Sequence, residues 1–150
     1  MDDAAILGIL EASDSWNITT GTAAAGKGAT ADVRDFGAVL ARDHTSMRQL
    51  GRDMAQKIGI GPGAAPATDD PWRSFYEEVT RELEGLSGAE YDRAFLVREV
   101  EYAGDMIDAI KDEYTPAVSN GELKPMLKKI ISALESHLRR AEELTKKYPG

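Results

Sequence analysis

The chain holds two histidines, and both sit where chemistry could be built. Read in steps of three and four, Val33, Phe36, Leu40, His44, Met47, Leu50, Met54 and Ile58 form one helical stripe. Leu123, Leu127, Ile130, Leu134, His137, Ala141, Leu144 and Tyr148 form another, again with an imidazole at its middle. An imidazole on an apolar stripe can ligate a metal or hydrogen-bond across a core. Two imidazoles with a carboxylate could hold one zinc, iron or copper ion. Glu99 is the nearest carboxylate on the third long helix, one turn before Ala103, and Asp43 is a second candidate for the shell. The competing reading pairs each histidine with Asn17, Ser136 or Tyr102 and involves no metal.

Four long helices must position these residues. The first spans about residues 3–24, the second 31–58, the third 89–114 and the fourth 122–148, with a short helix over about 71–86. Thr30 is the expected N-cap of the second, Asp70-Pro71 opens the short helix, and Ser87 with Glu90 forms a capping box for the third. Thr115-Pro116 is expected to stop the third helix and Asn120-Gly121 to turn the chain. No strand pattern occurs. At 1.5 Å per residue these helices are about 33–42 Å long, which specifies an all-α four-helix bundle in one domain of 150 residues.

The joins are short, long and short. About 30 residues separate the second helix from the third, enough to travel the length of the bundle and let those two run parallel, the ferritin-like order with one crossover; an up-down-up-down bundle capped by the short helix is the alternative. In that order His44 and His137 stand at similar heights, roughly 20 and 17 Å from one end, and can face each other.

Other chemistries fail on the residues. Gly21 to Gly28 nearly spells a phosphate loop, but glycine follows Lys27 where a hydroxyl is needed, and the preceding segment is helical. A di-iron bundle needs Glu-x-x-His on two helices, and the chain has none. No strand-turn-helix elbow exists for a serine nucleophile. With no cysteine there is neither thiolate site nor disulfide. Trp16, Trp72, Phe75 and Tyr91 read as core residues. No catalytic constellation is recognisable, so the expectation is a non-enzyme with no cofactor, or with one divalent ion at the histidines.

Charge narrows the partners. The net charge is −8, divided as −2 over residues 1–68, −9 over 69–113 and +3 over 114–150. An acidic body repels a phosphate backbone, which argues against nucleic acid. The basic face carrying Lys128, Lys129, Arg139, Arg140, Lys146 and Lys147 could touch an anionic membrane, though cations late in a helix also complement its dipole. No apolar run is long enough to span a membrane, and the start has no export-signal pattern. A monomer or dimer with an unknown protein partner is expected.

Three stretches resemble one family. Val33 to Met47 is similar to the "VxxFAxxMxxDHxxx" segment of a bacterial domain-of-unknown-function family of exported ferritin-like bundles, often labelled outer-membrane proteins. Leu86 to Phe95 resembles its "LSGxxFDxxY" segment, and Leu134 to Leu138 its closing "LxxHL". The resemblance implies a ferritin-like fold and a periplasmic or envelope location, with no established activity. It also implies a helix-one glutamate and a helix-three histidine where this chain has Asn17 and Ala103.

Overall fold

The computed structural model describes residues 1–61 and 70–149. Among them every regular element is helical: α1 (Asp3–Lys27), α2 (Ala31–Lys57), α3 (Arg73–Glu84), α4 (Gly88–Ala109), a π-helical turn at Ile110–Tyr114, α5 (Thr115–Ala117) and α6 (Leu123–Lys147). α1, α2, α4 and α6 are the four long helices of the bundle. Most of the Gly/Ala/Pro connector that follows α2 lies outside the described residues.

The helix directions follow from which ends meet. α1 and α2 are joined by a three-residue turn and run antiparallel. Lys147 and Tyr148, at the end of α6, both bond Asp32 at the start of α2, while Lys57 at the end of α2 pairs with Glu122 just before α6. α2 and α6 are therefore antiparallel. α6 returns antiparallel to α4 through a short turn, so α2 and α4 run parallel, as the long connection between them predicts. α3 lies within that connection.

Carboxylates tie the ends. Asp92 at the start of α4 accepts from the Ala29 and Thr30 amides at 2.8 and 2.9 Å, holding the α1–α2 turn. At the other end Asp3 accepts from Ser119 and Asn120 amides. Each is a charge-assisted bond to backbone donors that helices leave unpaired at their ends.

α1 and α2 cross at glycine. A Cβ built on Gly37 would lie 2.6 Å from the Gly21 carbonyl oxygen and 2.7 Å from the Ala24 Cβ, so only a residue without a side chain permits this approach. The close crossing fixes how α2 lies against α1, and with it the height at which His44 meets α1.

Several local expectations are corrected. Thr30 does cap α2, accepting from the Val33 amide. Ser87 occupies the N-cap position of α4, but its side chain makes no capping bond. Asp70 accepts from the Trp72 amide in a turn, so α3 begins at Arg73, two residues later than expected. Thr115-Pro116 does not stop the chain. Pro116 sits in the first turn of α5, and the preceding π turn, closed by the Thr115 amide donating to the Ile110 carbonyl, carries the helix past it.

Candidate functional site

The two histidines face each other. Both are buried, and their ring centroids lie 5.3 Å apart with planes inclined by 39°. Each ring is fixed by a carboxylate: His44 Nδ1 lies 2.9 Å from Asp14 Oδ1 on α1, and His137 Nε2 lies 2.8 Å from Asp43 Oδ2 on α2. The partners expected from the sequence do not serve. Asn17 donates instead to the Ser13 carbonyl on its own helix, and Tyr102 Oη is hydrogen-bonded to Ser13 Oγ. Tyr102 still presents its ring edge to His44, at 6.4 Å between centroids.

Asp43 bridges surface and core. Its Oδ1 accepts from Arg42 Nε at 3.0 Å while its Oδ2 holds His137. Burial acts to raise its pKa, but the hydrogen bonds from His137 and Arg42 prevail and hold it below the ordinary carboxylate value. For Asp14 the compensation, from Arg48, is too small. Burial, with Glu11 adding to it, pushes its carboxyl well up. His44 beside it is pushed down to about 3 by burial. Burial also lowers His137.

The opposite ring atoms have nothing to bond. His44 Nε2 and His137 Nδ1 are buried without a hydrogen-bond partner, and so is Glu99 Oε1. Such atoms are uncommon in native cores and call for a reason. Glu99, on α4 one turn before Tyr102, is 3% exposed, and burial raises its carboxyl to about 8. All three sequence candidates, His44, His137 and Glu99, thus carry an open, buried ligating atom. The histidines are brought together. For Glu99 the gathering is incomplete: among the described residues no three His, Asp or Glu side chains are grouped to hold an ion.

The spacing of the pair has a geometric meaning. Two imidazoles binding one tetrahedral ion at about 2.0–2.1 Å put their ring centroids about 5.2 Å apart. The observed separation matches, with no hydrogen bond between the rings.

Two openings approach the site. A groove of about 350 Å³ between α2 and α6 is lined by Asp35, Phe36, Val39, Asp43, Ser136 and His137 together with the guanidiniums of Arg42 and Arg140. A cleft of about 10 Å³ beside α1 and α2 reaches Asp14 past Met47 and Gly51.

The match to a family of unknown function, described as Domain of unknown function (DUF4142), covers residues 1–144. The chain belongs to this family. Membership spans every helix of the bundle and both histidines, and it brings no activity. Neither a curated protein nor a solved structure matches this DUF4142 chain.

Asp14 is the partner that sequence reasoning missed. It lies four residues after Leu10 and three before Asn17, on a line that continues to Gly21 and Ala24, all buried. That spacing was a usable signal. It is masked by the start of α1, where Ile6, Leu7, Gly8, Ile9 and Leu10 are all buried and no single face stands out.

Proposed function

We propose that this bundle is a non-catalytic metal-binding protein of the cell envelope, holding one divalent transition-metal ion between His44 Nε2 and His137 Nδ1. The observation that carries the reading is the pair of carboxylate-anchored imidazoles, 5.3 Å apart between ring centroids, each with a buried nitrogen left unbonded. Carboxylate–histidine–metal triads use this division of labour: the carboxylate fixes the ring and its proton, leaving the other nitrogen for the metal. Asp14 and Asp43 take the positioning role. Glu99, whose Oε1 is buried and unbonded, is the candidate third ligand, and water would complete the shell. Imidazole with carboxylate suits zinc, iron or copper.

The envelope location rests on the likeness to exported bundles. The non-catalytic reading is supported by closure, since His44, His137 and Glu99 are each 3% exposed or less and a substrate has no direct contact with them.

The test is a thermal melt of metal-stripped protein with and without excess zinc, iron(II) or copper(II), beside a His44→Ala, His137→Ala double variant. Binding to the native state alone adds about 2.7 kcal/mol at 100 times Kd, and each kcal/mol is worth roughly 2–4 °C in a chain of this size. A rise of that order in the parent, absent from the variant, is the expected result. No metal-dependent rise refutes the metal reading. The histidines are then core hydrogen-bonding residues in a structural or partner-binding envelope bundle.

A further inference from the structure

We propose that the trough between α1 and α3 binds an uncharged oligosaccharide, set against the Trp16 indole and hydrogen-bonded by Thr20, Glu77, Arg81 and Glu84. The trough shares no lining residue with the histidine pair, and the proposal is independent of the metal reading.

Two hollows make one trough. The larger, of about 470 Å³, is walled by Trp16 of α1 and by Tyr76, Glu77, Thr80 and Arg81 of α3. The smaller, of about 180 Å³, continues from Thr80 between Thr20, Ala23 and Lys27 of α1 and Leu83 and Glu84 of α3, and ends at Tyr91. From Trp16 to Lys27 the α1 wall runs about 16 Å at 1.5 Å per residue. Both ends are braced from helix to helix. Trp16 Nε1 donates to Thr80 Oγ1 at 3.1 Å, and the indole stacks on Tyr76 with 4.8 Å between centroids. Lys27 Nζ donates to the Leu83 carbonyl at 2.9 Å. The walls are therefore ordered before a ligand arrives, which keeps the entropy cost of binding low.

The lining selects the ligand. Thr20, Glu77, Arg81 and Glu84 make no hydrogen bond or ion pair among the described residues. The Thr80 hydroxyl accepts from Trp16 and keeps its own proton to donate. Free donors and acceptors thus edge a wall of apolar and aromatic side chains. Two cations, Lys27 and Arg81, balance two anions, Glu77 and Glu84, so a polyanion gains no net attraction. An acyl chain fits no better: Thr19, Ala23, Thr80 and Glu84 are exposed, so the trough is open along its length and takes little of such a chain out of water. A sugar ring matches both features. Its C–H face packs on apolar and aromatic surface, while each rim hydroxyl both donates and accepts, meeting carboxylate, guanidinium and threonine hydroxyl in turn. Hydroxyls that face outward keep their water in an open trough.

The experiment is an NMR titration of amide chemical shifts on the full chain with cellotetraose, chitotetraose and maltotetraose in turn. At least one of these neutral sugars produces saturable shifts at the Trp16 indole N–H and at the Thr80 and Arg81 amides. Arg81→Ala and Glu84→Ala, both at exposed positions of α3, each weaken that binding roughly tenfold, the worth of a hydrogen bond to a charged group. Arg139→Ala, exposed on α6, leaves it unchanged. Tetragalacturonate, which carries a carboxylate on every ring, binds more weakly than the neutral sugar. The proposal is overturned by the absence of saturable shifts with all of the neutral sugars, by shifts confined to other helices, by an unchanged Kd in both α3 variants, or by tighter binding of tetragalacturonate.

Discussion

Replacing Glu99 by Gln isolates the cost of burying that carboxyl. Its pKa rises from 4.5 to about 8 because the side chain is enclosed and its Oε1 has no donor. The folded protein therefore keeps Glu99 protonated at pH values where the unfolded chain has released the proton. Its contribution is neutral below about pH 4.5, and stability is lost as pH rises through the window from 4.5 to 8. At 1.36 kcal/mol per pKa unit, the loss is about 3 kcal/mol at pH 7 and about 5 kcal/mol above pH 9. Gln has the same shape and no proton to lose. Whatever constant offset its amide introduces, the stability of Glu99→Gln minus that of the parent grows by about 3 kcal/mol between pH 4 and pH 7. The assay is urea unfolding of both proteins with a chelator present, at half-unit steps from pH 4 to 9. A difference that stays flat across that range refutes the burial argument for Glu99, since an exposed or hydrogen-bonded carboxyl produces no such slope.

The histidines set the opposite limb. His44, lowered from 6.5 to about 3, stays neutral in the fold while the unfolded chain takes up a proton, so stability is lost as pH falls from 6.5 toward 3, by about 2 kcal/mol at pH 5. His44→Gln removes that fall, which chemical unfolding at pH 7 and pH 5 measures; an equal loss in both proteins contradicts it. Asp14→Asn, which keeps the shape but puts a neutral amide where the carboxyl holds His44 Nδ1, weakens metal binding by about 10–100-fold without removing it, as read by competitive titration. Unchanged affinity would show that Asp14 does not orient the ring. Gly37→Ala destabilises by about 1–3 kcal/mol, because its methyl meets the backbone of α1. Gly104→Ala, inside α4 with nothing within 4 Å of its added Cβ, stabilises by roughly 0.5–1 kcal/mol; thermal melts of the two variants should move in opposite directions.

Helical periodicity carried most of the architecture. The stripes of α2 and α6 are buried largely as read, because apolar residues at steps of three and four leave a helix one way to turn its face inward. Beyond Met47 the α2 stripe loosens: Leu50, Met54 and Ile58 are only partly buried against the core while Ala55 is enclosed, a drift that follows once the helix passes its close crossing with α1. Join lengths permitted the parallel run of α2 and α4 that the structure shows, since a short link forces neighbours to reverse and a long one leaves either direction open. Helix lengths then placed His44 and His137 at one height, and they meet.

What remained belonged to contacts between helices. Ser87 has the right type and spacing for a cap, yet a cap also needs a rotamer that the surrounding packing does not select. Nothing in the run around Thr115-Pro116 announces that a π turn will carry the helix past a proline. Most consequential are Asp14 and Asp43. Periodicity assigns a residue to a face of its own helix, whereas the partner across the gap depends on how closely and at what register two helices cross. The Gly21–Gly37 contact sets that register for α1 and α2, and so brings Asp14 rather than Asn17 to His44. The chain by itself placed two imidazoles on apolar helix stripes at similar heights, where they could face each other. Only the tertiary structure decided which nitrogen of each ring is held and which is left open, because that choice lies in distances of about 3 Å between residues 30 and 94 positions apart.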